Sequence, residues 1–220
     1  MKKIIPILLI LLLVGGCAPA SVNIQGSATA ATKPTPEQPK DLSSLVEIKE
    51  YSCSQVDSFL YYVMTIKNNS DIMLEADLNV SALDKDGNLI DGKSHSNLVI
   101  APGQTACGWL IFDKDWQKIT KFEHNLSLKE SKRENSYKNL EVKTNKTSEG
   151  VAISVKNNGS AAARYVYVDI IFLKDGKVVG FDDVRCSDGD SEVKPGQTIS
   201  ASGRCVNGSF DDMIVLLNCK

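Results

Sequence analysis

Only two histidines, His95 and His124, occur in the chain, which leaves little material for acid–base or metal chemistry. No Cys-x-x-Cys pair occurs, so neither a thiol redox motif nor a zinc ribbon is indicated. A surplus of positive charge is missing too. Lysine and arginine number 25 against 27 acidic residues, and without Lys2 and Lys3 the balance is 23 − 27 = −4. A nucleic-acid partner, which needs a basic face, is therefore not expected. The apolar run from Ile4 to Val14 has 11 residues, too few to cross roughly 30 Å of hydrocarbon. The hydrophobic content of 42% and charged content of 24% are ordinary for a globular protein.

What is present is a repeat. Lys67-Asn68-Asn69, Lys85-Asp86-Gly87 and Pro102-Gly103-Gln104-Thr105 recur as Lys156-Asn157-Asn158, Lys174-Asp175-Gly176 and Pro195-Gly196-Gln197-Thr198. The offsets are 156 − 67 = 89, 174 − 85 = 89 and 195 − 102 = 93, so the second copy has four extra residues before its last block. Three blocks in one order predict two tandem domains of one fold.

Lys2-Lys3, the short apolar run and Gly15-Gly16-Cys17 have the layout of a secretory leader. Val14-Gly15-Gly16-Cys17 resembles the bacterial lipobox, which implies cleavage before Cys17 and a diacylglycerol on its sulfur. A plain signal peptide with an incidental cysteine is the alternative. At about 0.8 kcal/mol per buried methylene, two or more acyl chains make a lasting anchor. Residues 17–44 are rich in Ala, Ser, Thr and Pro, including Lys33-Pro34-Thr35-Pro36, and read as a disordered tether.

From residue 45 onward, β-forming runs alternate with turn signals. Leu60, Tyr62, Met64 and Ile66 share one face of a strand. Leu74, Ala76, Leu78, Val80 and Ala82 alternate with polar residues, as in a half-buried antiparallel strand. In the second copy Val166, Val168, Ile170 and Phe172 share a face, but their parity differs by one from the first copy. A bulge in one copy is the expected cause. The fold class is all-β: two tandem immunoglobulin-like antiparallel β-sandwich domains, 45–130 and 131–220, after a signal peptide (1–16) and a lipidated Cys17 with its tether (17–44).

Phe172-Leu173-Lys174-Asp175-Gly176, with the Asn-Asn and Pro-Gly-Gln-Thr turns around it, resembles the FxLYD domain. Ala82-Leu83-Asp84-Lys85-Asp86-Gly87 is a looser match that lacks the aromatic residue. The resemblance covers about residues 45–128 and 137–219. It implies an immunoglobulin-like extracytoplasmic module of a surface protein and carries over no catalytic residue.

With Cys17 lipidated, five cysteines remain, and secretion permits disulfides. Cys53 and Cys107 are expected to pair within the first domain. Cys186 and Cys205 lie symmetrically about Pro195-Gly196 and are the favoured second pair, which leaves Cys219 free. A Cys205–Cys219 pair centred on Asp211-Asp212 also satisfies hairpin geometry, and five buried thiols are the remaining alternative.

Candidates for chemistry are few. Asp84, Asp86 and Asn88 invite a calcium-loop reading, but Gly87 precedes Asn88 where an EF-hand needs it after, so a hairpin turn is expected. His95, in Lys93-Ser94-His95-Ser96-Asn97, reads as a solvated loop residue, and His124 as a half-buried sheet residue. Asp182-Asp183 and Asp188-Gly189-Asp190-Ser191-Glu192 form an acidic region that offers oxygens to a divalent cation or is a solvated loop. Tyr61, Tyr62, Tyr165, Tyr167, Trp109 and Trp116 supply either a contact face or core packing. No catalytic residue, metal or cofactor is expected. The functional expectation is an extracytoplasmic, lipid-anchored cell-membrane protein whose two modules bind an envelope protein or ligand, or serve envelope architecture. The alternative is an accessory or ligand-binding subunit of a membrane transporter or envelope enzyme complex.

Overall fold

Strands follow the turn signals. The computed structural model describes residues 41–219; the leader, Cys17 and the tether up to residue 40 lie outside the described residues. Among those described there is no α-helix, and every strand pairing is antiparallel. The strands are β1 (Val46–Gln55), β2 (Phe59–Asn68), β3 (Leu74–Leu83), β4 (Leu89–Ile100), β5 (Thr105–Phe112), β6 (Lys121–Glu130), β7 (Leu140–Lys146), β8 (Gly150–Asn157), β9 (Ala163–Arg164), β10 (Tyr167–Lys174), β11 (Lys177–Arg185), β12 (Glu192–Val193), β13 (Thr198–Arg204) and β14 (Asp212–Asn218).

Sheets β1-β2-β5 and β4-β3-β6 enclose one core, which includes Tyr62, Met64, Ile66, Leu78 and Phe112. Leu42 is buried there as well, so the folded part begins inside the stretch expected to be tether. Sheets β13-β8-β7 and β11-β10-β14 enclose a second core around Val155, Val168, Ile170 and Phe172, with the short pair β9-β12 beside it. A third apolar cluster joins the two sandwiches. Cys53, Val63 and Cys107 on β1-β2-β5 meet Ile171, Phe181 and Leu216 on β11-β10-β14. The rings of Tyr61 and Trp109 lie 5.3 Å and 5.7 Å from that of Phe181. Four sheets are thus stacked, and the two in the middle are covered on both faces.

The repeated blocks have a shared structural task. Asn68 is fully buried and donates its amide to the carbonyls of Ile72 and Ile100, while its Oδ1 accepts from Ser70 N–H. Asn157 does the same with Ala161, Val193 and Gly159. The following Pro-Gly turn closes on the same residue, by Gly103 N–H to Asn68 O and Gly196 N–H to Asn157 O. A buried turn leaves backbone groups needing partners, and one asparagine supplies three.

The parity difference comes mainly from loop length. Asp84 and Asn88 flank the three-residue loop Lys85-Asp86-Gly87, whose Gly87 has φ +83°. In the second copy Lys174 pairs Lys177 directly across Asp175-Gly176, both with positive φ, a type I′ turn. The same three letters therefore close hairpins that differ by one residue. Bulges occur in both copies: beyond each turn, between Ala82 and Leu83 and between Phe172 and Leu173. A further shift, between Ala76 and Leu78, belongs to the first copy.

The expected disulfides are corrected. Cys53, Cys107, Cys186, Cys205 and Cys219 are all buried free thiols. Strand β2 separates Cys53 from Cys107, and their rows differ by four residues, since Cys53 pairs Tyr61 whereas Cys107 pairs Thr65. That is roughly 13 Å along the strands and about 9 Å across them, beyond disulfide reach. Pro195-Gly196 does not close a hairpin. It joins β12, paired to β9, with β13, paired to β8, so Cys186 and Cys205 are not set opposite each other. Strands β13 and β14 likewise lie in different sheets, which removes the geometry considered for Cys205 and Cys219.

Candidate functional site

Where the sandwiches meet, one edge of the junction stays open as a cleft of about 390 Å³. His95 and Asn97 of β4 and Trp109 of β5 form one wall. Tyr165, Tyr167, Asp183 and Asn218 of the second sandwich form the other. Both walls are irregular where they face the cleft. Ala76 pairs Leu98 and Leu78 pairs His95, so Ser96 and Asn97 together oppose Asp77 alone. Asn97 takes φ +63° and donates its N–H to Asp77 Oδ1 at 2.8 Å. Across the cleft, Tyr165 has φ +49° and is held by its N–H to Ser191 O at 2.9 Å. Left-handed backbone at a β-forming tyrosine is strained, and such strain gathers at ligand clamps. Ser191 lies in the segment lengthened by the four extra residues of the second copy.

Behind Asp183 sits a buried acid. Asp169 and Asp183 are cross-strand partners on β10 and β11. Asp169 is fully buried, Asn218 donates its amide to Oδ2, and Oδ1 has no hydrogen-bond donor among the described groups. Burial, and then the Asp183 carboxyl group, push the Asp169 carboxyl well above the usual range. A proton retained on Asp169 turns the orphaned oxygen into a donor toward Asp183. Asn218 also fixes the first sandwich, exchanging hydrogen bonds with Cys107 N–H and O. His95 Nδ1 lies 3.3 Å from both backbone N and O of Trp109, with its ring edge-on to the indole.

The expected site residues separate. His95 is in strand β4 and half-buried on the cleft, a correction to the solvated-loop expectation; the strand extends to it because Leu78 supplies a ladder partner. His124 lies on β6, on the other side of β3, with its Nδ1 3.3 Å from Glu50 Oε1. Tyr62 packs in the first core and donates to Glu50 at 2.7 Å. Tyr61 and Trp109 pack at the junction, while Tyr165 and Tyr167 reach the cleft. Asp183 joins the cleft, but the rest of the acidic region does not converge. Asp188 accepts Asp190 N–H, Glu192 pairs with Arg164 at 2.7 Å, and Asp182 accepts Arg204 N–H. Among the described residues no three acidic, His or Cys side chains gather at metal-binding spacing. In the first copy Asp84 Oδ1 accepts the N–H groups of Asp86 and Asn88 and so serves the turn.

Sequence reasoning missed Asp169, Asn218 and Asn97. Asp169 carried a signal: it is the sole charged residue in Tyr165–Leu173. Burial lowers the reactivity of the thiols. Cys53 and Cys219 are pushed up to about 12 and Cys186 to about 11, so none is a thiolate nucleophile at neutral pH.

No protein-family model and no curated protein matches the sequence. Among solved structures, red sea bream transglutaminase aligns with a TM-score of 0.30 and 9% identity, over 80% of this chain and 29% of that one. The chain therefore spans under a third of that protein's length, and the likeness is too low to carry an argument about activity.

Proposed function

We propose that the chain is a lipid-anchored extracytoplasmic protein whose two β-sandwiches form one binding module with no catalytic role. The lipobox-like Val14–Cys17 and the Pro-rich tether support the address, as does the resemblance of Phe172–Gly176 to the FxLYD motif. The observation that carries the binding reading is the cleft itself. Each sandwich contributes a wall, and each wall departs from the repeat where it faces the cleft. A cleft of this volume suits a small ligand, which favours the accessory or ligand-binding role over purely architectural service.

The anchor is tested by Cys17→Ala, which is expected to move the protein from the membrane fraction to the soluble one. Unchanged partitioning would overturn it. The binding reading is tested by crosslinking and recovery from intact envelopes with wild type and Tyr165→Ala. Selective loss of one captured species in the variant supports the cleft as the site, and identical capture removes it.

A further inference from the structure

Resting on the cleft as the binding site, we propose that it takes a small organic cation, a primary or quaternary ammonium compound. The charge would lie over the rings of Trp109 and Tyr165 and against the Asp183 carboxylate.

The lining is aromatic and acidic and contains no lysine or arginine. Aromatic faces attract cations, most strongly when both are partly withdrawn from water. Two arginines bond residues beside or in the cleft wall, and each is held by fixed partners. Arg185 donates to Ser187 Oγ at 2.9 Å and Ser191 Oγ at 2.5 Å. Arg133 lies 3.6 Å from the buried Glu75 and donates to Asn97 Oδ1. An anion would meet Asp183 with no lysine or arginine in the lining itself to balance it. A purely apolar ligand would cover the Asp183 carboxyl group without offering it a partner, a cost of about 1–3 kcal/mol for a stranded group and more for a charged one. A cation satisfies the acid and the rings together.

The second independent feature is Asp169. Its fully buried Oδ1 has no donor among the described residues, and the proton that Asp169 retains is directed to its cross-strand partner Asp183, the carboxyl group that lines the cleft. Asp182, on the opposite face of β11, and Cys107 of β5 add no positive charge. The half-exposed ring of Tyr165, fixed in a strained conformation, closes the outer side. Its N–H bond to Ser191 holds it there without a ligand, which reduces the ordering cost of binding.

The chain has two tryptophans, so Trp116→Phe leaves Trp109 as the sole indole reporter in the cleft. The full-length chain with that substitution is titrated with choline, 1,4-diaminobutane and 3,3-dimethylbutan-1-ol, the uncharged carbon isostere of choline. At least one cation is expected to shift Trp109 emission saturably with a Kd of about 1 mM or tighter. The isostere is expected to bind at least about tenfold more weakly. Asp183→Asn should weaken the cation by about tenfold and leave the isostere unchanged. Tyr165→Ala, at the exposed mouth, repeats the test if Asp183→Asn alters folding. Equal binding of choline and its isostere, or no saturable response to either cation, overturns the proposal. Absent cation response with continued Tyr165-dependent capture from envelopes overturns the cation while the binding reading stands; loss of both removes both.

Discussion

Strands β3 and β10 occupy corresponding places in the two copies, yet one is wet on its outer face and the other is buried on both. The outer side of β3 carries Asp77, Asn79 and Ser81, whereas that of β10 carries Asp169, Ile171 and Leu173 at the junction. The reverse holds for β2 and β8. Tyr61 and Val63 of β2 pack into the junction, while Ala152 of β8 is exposed. Non-equivalent sheets therefore meet: β1-β2-β5 of the first copy faces β11-β10-β14 of the second. A duplicated fold used the same turns twice and changed one face of each copy. The cleft lies at the edge of the changed faces, so difference between the copies, rather than likeness, marks the site.

The likeness breaks first. Asn68→Ala or Asn157→Ala removes the donor from two carbonyls in each case, one buried and one part-buried. At about 1–3 kcal/mol per stranded group, each is expected to cost roughly 3 kcal/mol. Urea unfolding should show nearly equal losses for the two variants. A large loss at one site alone would show that the clips are not equivalent.

The next test uses a position where the copies disagree. Leu110 pairs Tyr62 in the first copy, and Gly203 pairs Val151 at the corresponding place in the second. Ile170 fills the space that glycine leaves: a Cβ at Gly203 would lie 2.2 Å from Ile170 Cδ1. Gly203→Ala is expected to cost about 2 kcal/mol by overpacking. Combining it with Ile170→Val, which shortens the obstructing side chain, should return part of that loss. No recovery in the double variant would show that the strain lies elsewhere.

Much of this was legible before the structure. The repeat, the strands around it and the core faces of β2, β3 and β10 follow from alternation and turn residues, because a period of two is a local property. Even the junction left a trace: Phe59–Ile66 and Tyr165–Leu173 are apolar on both faces, the pattern of a strand covered twice. The cleft was not legible. His95 and Asn97 sit in a polar run whose strand character depends on pairing with Leu78 and Ala76, and Asn218 acquires its role by reaching Cys107 on another sheet. The cysteine pairing failed for a similar reason. Symmetry about a turn predicts neighbours only when the turn closes a hairpin, and Pro195-Gly196 joins strands of different sheets.

The acid behind the cleft gives the comparison a pH axis. Where β10 buries Asp169, the outer face of β3 exposes Asn79. With its pKa raised mainly by burial and next by Asp183, Asp169 keeps a proton in the folded state that the unfolded chain releases near pH 4. Its stabilising contribution is full below that pH and is lost as pH rises through the folded-state value. Asp182, also raised by burial, acts in the same direction. Asn218, which bonds the other Asp169 oxygen, opposes the shift without reversing it. Asp169→Asn is therefore expected to flatten the decline in urea midpoint as pH rises above about 4. A variant as steep as wild type would place the retained proton on another group.

The smallest effect separates the two copies most cleanly. Gln104 and Gln197 hold the same place in the repeat, and each accepts a backbone N–H through Oε1, from Ala101 and Lys194. Gln104 is fully buried and also donates to Leu217 O at 2.7 Å, while Asn135 of the connecting segment donates to its Oε1. It thereby binds one sandwich to the other. Among the described residues Gln197 makes no such bond across the junction, because its sheet faces away from the first copy. Gln104→Ala strands Leu217 O and is expected to cost about 1–2 kcal/mol, against a few tenths for Gln197→Ala. Asn135→Ala combined with Gln104→Ala should cost less than the sum of the two, since both feed one node. Strict additivity, or equal losses at Gln104 and Gln197, would mean that the junction contributes no more at this residue than the turn already does.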